Sequence, residues 1–250
     1  MRTLLTLYQK ELRGFFLNPF GWAVLILITV MQGVSLSTAM AALKDAPLPQ
    51  NLIYITFHTP NFWFYFLFLF PLITMRLFSE EERSGTLETL LTAPVRSGQV
   101  VLAKFLAAYS FFVIAWIPAL IQFQFFRILT DIPAPFSNGA LIGAFAIILL
   151  MGAFFVALGC LASALCASQI VAGIITIGLL VIHFFLGYVT AIWGDSFGAA
   201  PVFQYLSSQQ HLGYFTTGLL DSRAVVYYLT MAAFTLFLTH KVVDFRRWRR

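Results

Sequence analysis

From Ile132 to Gly194 the sequence runs for 63 residues without an Asp, Glu, Lys or Arg. As one straight helix this stretch would be about 95 Å long, roughly three times the hydrocarbon core of a bilayer. It must fold back on itself, and the sequence marks a place: between Ser163 and Gln169 the large apolar residues give way to Ser, Cys, Ala and Gln. This predicts one membrane helix over 139–162 and another over 170–193. Gly143, Gly152 and Gly159, with Ala146, Ala153 and Ala157, give the first of them small residues for close helix contact. Composition agrees with a membrane protein, at 60% hydrophobic and 10% charged residues with 28 phenylalanines.

The remaining chain supplies further spans by the same criteria. Residues 20–42 carry no charge and form a first span, too long for a cleavable signal peptide and so expected to stay in the mature protein. Residues 44–51, with Pro47 and Pro49, read as an external loop. A second span covers 60–78; its aromatic run from Phe62 to Phe70 reads as lipid contact and packing rather than a cofactor box, and Pro71 predicts a kink. A third covers 101–126, and a sixth covers 223–240, followed by the basic anchor DFRRWRR. Ahead of the first span, residues 1–17 place Leu4, Leu5, Tyr8, Leu12, Phe15 and Phe16 on one helical face, with Thr6, Gln9, Lys10 and Arg13 elsewhere, the pattern of an interfacial helix ended by Asn18-Pro19. Segment 195–222 is broken by Pro201, Gly213 and Gly218 and is too polar in its middle to span; a re-entrant pair of short helices is the economical reading.

Charge placement sets the topology. With both termini and the stretch Arg76–Lys104 in the cytoplasm, twelve of the fifteen Lys and Arg lie inside, and Lys44, Arg127 and Arg223 remain outside. The net charge of +5 then reflects topology and anionic lipid headgroups rather than nucleic acid. Cys160 and Cys166 sit at the end of one apolar run with no histidine close in sequence, which argues against a disulfide framework and against a metal site.

Arg76–Lys104 is a charged island between two spans. Ser79 reads as an N-cap and Glu82 as the residue closing a capping box, with Glu80, Glu81 and Glu82 in the dipole-favoured first turn. Leu87, Leu90 and Leu91 continue the apolar face of one short helix over 79–93, until Pro94 stops it. The order E-E-R-S-G-T-L-E-T-L-L-T-A-P-V resembles the loop after the second span of permeases of type-2 ABC exporters, where a coupling helix docks on an ATPase subunit; the matching positions are Glu80, Glu82, Gly85, Thr86, Glu88, Leu90, Leu91 and Pro94. A second segment resembles the gliding-motility-associated branch of that family through Tyr205, Leu206, Ser207, His211, Phe215, Gly218, Asp221 and Tyr228.

The resemblance implies an all-α polytopic membrane protein: one transmembrane domain over 1–250 with six transmembrane helices, an N-terminal interfacial helix, a cytoplasmic coupling helix and a re-entrant pair before the sixth span. It further implies a bacterial cytoplasmic-membrane location, a second permease chain as homodimer or heterodimer, an ABC ATPase subunit as partner, and membrane lipid around the spans. A companion with a periplasmic domain fits a version that drives a cell-envelope or gliding machine without moving a solute. The chain has no G-x-x-x-x-G-K-[ST] loop, so it is expected to bind no cofactor and not to be an enzyme, with ATP and Mg held by the partner ATPase.

Two other classes fit the residues less well. An intramembrane hydrolase would need His183 with Ser163 or Ser168, but there is no G-x-S-x-G and no carboxylate in that region; a single histidine there reads as a polar interhelical contact. A secondary transporter or channel would place ionisable groups at the midplane, where the candidates are His183 and the uncharged Gln32, Gln122 and Gln124.

Overall fold

A computed structural model describes residues 2–45, 51–86, 95–129, 136–189 and 200–248. Among them every regular element is helical: α1 (Arg2–Leu17), α2 (Pro19–Asp45), α3 (Leu52–His58), α4 (Pro60–Thr74), α5 (Ser79–Arg83), α6 (Ser97–Leu129), α7 (Asn138–Leu165), α8 (Gln169–Leu186), α9 (Ala200–Leu206), α10 (Ser208–Thr216) and α11 (Ser222–Trp248). Five of these, α2, α6, α7, α8 and α11, are long and apolar enough to cross a membrane; α4 is apolar but only 15 residues long.

The bundle is organised around α7, which packs against α4, α6, α8, α10 and α11. Its three glycines explain how so many neighbours fit. A Cβ on Gly143 would lie 2.3 Å from the Phe215 carbonyl oxygen, one on Gly152 2.1 Å from the Phe112 ring, and one on Gly159 2.1 Å from Thr74 Oγ1. Each glycine thus admits a different element, in turn α10, α6 and α4, at a distance no other residue permits.

The aromatics of the second apolar stretch divide by face. Phe62, Phe66 and Phe70, spaced by four, are buried and meet Trp116 and Phe112 of α6 and Phe155 of α7, whereas Phe64 and Phe68 are exposed. Helix α4 passes through Pro71 and ends one turn later at Thr74, short of the expected end at Phe78. Helix α1 covers α6, with Phe15 stacked on Phe111 at 4.7 Å and Tyr8 bonded to Ser110 at 3.0 Å. Leu5, assigned to its apolar face, is exposed; Leu7 takes the packed position.

Several boundaries differ from the sequence reading. Helix α2 extends to Asp45, into the stretch read as a loop, and α3 lies where no element was expected, capped by the Asn51 side chain accepting from the Tyr54 amide at 2.7 Å. Helix α6 starts at Ser97 and runs past the end of the span read over 101–126, because Arg127–Leu129 continue it, and α11 carries on through Asp244–Trp248 instead of stopping before the basic tail. The chain turns between α7 and α8 at Cys166–Ser168. Within 195–222 the described part forms α9 and α10, and Gly218, at φ 88°, ends the pair in a left-handed conformation suited to glycine.

Candidate functional site

The segment after α4 is shaped by side chains turned back into the bundle. Ser79 is buried and its hydroxyl donates to the Met75 carbonyl, while the N-cap position belongs to Phe78, which makes no side-chain cap. The capping box read for Ser79 and Glu82 is therefore corrected: the chain enters α5 straight from a tight turn, so the Ser79 hydroxyl faces the preceding turn and Glu82 pairs with Arg246 instead. Ser163 of α7 holds this turn, accepting from the Phe78 amide at 3.0 Å and the Ser79 amide at 3.2 Å and donating to the Met75 carbonyl at 3.2 Å. Two amides left without helical partners are thereby satisfied.

The helix expected to run unbroken over 79–93 is also corrected. Helix α5 is five residues long; the Ser84 amide bonds back to Glu80 and the Gly85 amide to Glu82, and Gly85 adopts φ 71°. A left-handed glycine just past the last helical residue is a helix stop, which the leucine pattern beyond it concealed. Residues Leu87, Glu88, Leu90, Leu91 and Pro94 of the expected docking face lie outside the described residues. Glu80, Gly85 and Thr86 are exposed.

The two acids after Glu80 point into the protein. Lys104, buried at 2% exposure, places Nζ 2.9 Å from Glu81 Oε1 and 3.2 Å from Glu11 Oε2. Lys10 joins more loosely, at 3.6 Å from Glu11 and 3.9 Å from Glu81, and is largely exposed. Glu82 Oε2 meets Arg246 at 2.9 Å, and Ser97 donates to Asp244 Oδ1 at 2.9 Å. One buried ammonium thus ties α1, α5 and α6 together, and the next residue along α5 ties it to α11. Removing an ammonium from water is costly, and two carboxylates at hydrogen-bond distance offset that cost where one exposed pair would not. The sequence signal for this node is Lys104 itself, a solitary cation in the apolar run VVLAKFLAAYS, a position that demands a named partner.

At the opposite end the re-entrant residues and His183 meet. His183 Nε2 lies 2.9 Å from Ser208 Oγ, Ser208 Oγ 2.9 Å from Tyr228 Oη, and His211 Nδ1 3.2 Å from Tyr228 Oη. All four are buried, with Phe154 and Phe155 edge-on to His183 and Tyr205 edge-on to His211. The chain of bonds joins α8, α10 and α11. Ser163 and Ser168, the serines weighed as partners of His183, lie elsewhere: Ser163 is bonded at the α4–α5 turn, and Ser168 stands exposed at the N-cap position of α8 without a side-chain cap bond. Leu206 closes α9, Asp221 accepts from the Arg223 amide at 2.9 Å, and Gly218 follows α10. Gln122 donates to the Thr29 carbonyl at 3.3 Å and Gln32 to the Ala115 carbonyl at 3.0 Å, joining α2 to α6, whereas Gln124 is exposed. On the outer side of α10, Asn51 donates to the Thr216 carbonyl at 2.9 Å and His58 is pushed below its ordinary pKa by burial.

The family model for ABC-2 family transporter proteins matches residues 5–243, from α1 to within α11. The chain belongs to the ABC-2 family. No curated protein matches it. Membership makes it an ABC-2 permease, the membrane component of an ABC transporter, partnered with an ABC ATPase subunit and of a kind generally not catalytic itself. In this permease the charged node holds Glu81 and Glu82, at the start of the segment that the sequence resemblance marks for coupling.

Proposed function

We propose that this ABC-2 permease is the membrane half of an ATP-driven exporter of the bacterial cytoplasmic membrane, that two permease chains stand on two ATPase subunits, and that Glu80 to Pro94 receives the ATPase. The observation that carries the proposal is the division of α5 and the residues just after it: Glu80, Gly85 and Thr86 are exposed, while Glu81 and Glu82 bind α5 to α1, α6 and α11. A push at the outer face is then delivered to three membrane-domain helices together, and through Ser163 to α7. Such a lever shifts the balance between two arrangements of the spans in proportion to the difference in ATPase contact energy between them.

In this reading α4 with the turn after it counts as the second of six spans, the node and both termini are cytoplasmic, and Lys44, Arg127 and Arg223 are external. We also assign the chain to the gliding-motility-associated branch, on the likeness carried by Tyr205, Leu206, His211, Gly218, Asp221 and Tyr228; sequence alone supports that assignment. The test is co-purification with the ATPase. Glu80→Lys combined with Glu88→Lys and Leu90→Ala is expected to release the ATPase while the permease keeps its elution volume and melting temperature. Undiminished recovery of the ATPase with that variant sinks the docking role.

A further inference from the structure

Arg76 lies in the turn between α4 and α5, its guanidinium carbon 4.3 Å from the centroid of the Phe20 ring at the start of α2. Its Nε is buried and has no hydrogen-bond acceptor, and no carboxylate stands within ion-pair distance of it among the described residues. The other partly or fully buried cations at this end are satisfied, Lys104 by Glu11 and Glu81 and Arg246 by Glu82. A guanidinium with one face on an aromatic ring and its edge donors unmatched is a planar fork suited to the oxygens of a phosphate.

The surroundings say which kind of phosphate. Phe20 sits in the elbow between α1 and α2, where Asn18 caps the Phe20 amide at 3.0 Å and Gly21 presses so closely on α1 that a Cβ there would lie 2.0 Å from the Phe15 carbonyl oxygen. The elbow is therefore fixed, and it exposes apolar groups beside its polar ones. Leu17 is 82% exposed, and Trp22, half exposed, donates its indole N–H to the Phe16 carbonyl at 2.8 Å. Trp with one wet and one apolar edge belongs at headgroup level, and an exposed leucine beside it suits an acyl chain.

We infer that Arg76 and Phe20 form a binding site for the phosphate of an anionic phospholipid, with its acyl chains along Leu17 and Trp22. The inference rests on the proposed orientation, which puts this elbow at the cytoplasmic leaflet, where anionic headgroups attract basic residues. The lipid phosphate supplies the counter-ion that the protein withholds from Arg76. It also fills the corner between the α1–α2 elbow and the turn leading into α5, so the headgroup becomes part of the support of the charged node.

The experiment is native mass spectrometry of the purified, delipidated permease, without ATPase, titrated with phosphatidylglycerol or phosphatidylcholine. Wild type is expected to retain phosphatidylglycerol about fivefold better than phosphatidylcholine, the scale of one basic contact at a membrane surface. Arg76→Ala should erase that preference, Arg76→Lys and Phe20→Leu should reduce it, and Arg223→Ala, at an exposed position on another element, should leave it intact. Arg76→Lys keeps the charge and serves if Arg76→Ala fails to fold. Equal preference in wild type, Arg76→Ala and Phe20→Leu overturns the site. Removal of the bound lipid by inorganic phosphate alone overturns the lipid assignment in favour of free phosphate. Either failure leaves ATPase docking untouched, and loss of docking with lipid preference retained overturns only the docking role.

Discussion

At one end of the bundle Lys104 is held between Glu11 and Glu81; at the other, His183, Ser208, Tyr228 and His211 are joined by hydrogen bonds in which no carboxylate, lysine or arginine takes part. Both knots tie three helices that are distant in sequence. They differ because a desolvated ammonium holds only where carboxylates stand at ion-pair distance, as Glu11 and Glu81 do here, while hydroxyl and imidazole groups can be buried among Phe154, Phe155 and Tyr227 on neutral hydrogen bonds alone. The charged knot is therefore the stiffer of the two when whole and the more damaging when broken.

Breaking each knot should expose that difference. The largest effect is expected from Lys104→Met, which leaves Glu11 and Glu81 with only the exposed, looser Lys10 and should cost about 3 kcal/mol, read as a sharp fall in melting temperature and yield in detergent. Adding Glu11→Gln and Glu81→Gln to it should restore most of the loss; no recovery would mean that the node is held by packing rather than by charge. Next comes Ser163→Ala, which leaves the Phe78 and Ser79 amides unpaired and should cost about 2–3 kcal/mol. Tyr228→Phe keeps the ring but removes the hydroxyl shared by Ser208 and His211, and about 1–2 kcal/mol is expected. Arg246→Gln should be the mildest, below about 1 kcal/mol, because both side chains of its pair are partly exposed. Its effect should shrink further in high salt, whereas the Lys104 penalty should not.

How much of this could be read from the sequence depends on whether the signal was local. The break between α7 and α8 was legible because a run of Ser, Cys, Ala and Gln interrupts large apolar residues, and the two short helices of the 195–222 segment because Pro201 and Gly218 punctuate it. Helix α3 was not, since LIYITFH is apolar without a period of its own and is defined by the Asn51 and Thr59 caps. The capping box failed because a serine one turn after a helix can bond backward as readily as forward, and only the tertiary turn decides. Lys104 entered only as the end of the charged island, and although it is a lone cation in an apolar run, its partners lie in two other elements that no spacing rule connects. Ser208 was hidden for the same reason; His183 does make the polar interhelical contact its position suggested, but its partner, 25 residues away in another helix, could not be named from spacing.

The Ser163 contact also sets a clock for biosynthesis. The amide of Ser79 emerges 84 residues before the hydroxyl that accepts its hydrogen. At about 5–20 residues per second, the turn leading into α5 waits roughly 4–17 s for α7 to arrive. During that interval the nascent chain carries this corner with the Phe78 and Ser79 amides still unpaired by Ser163.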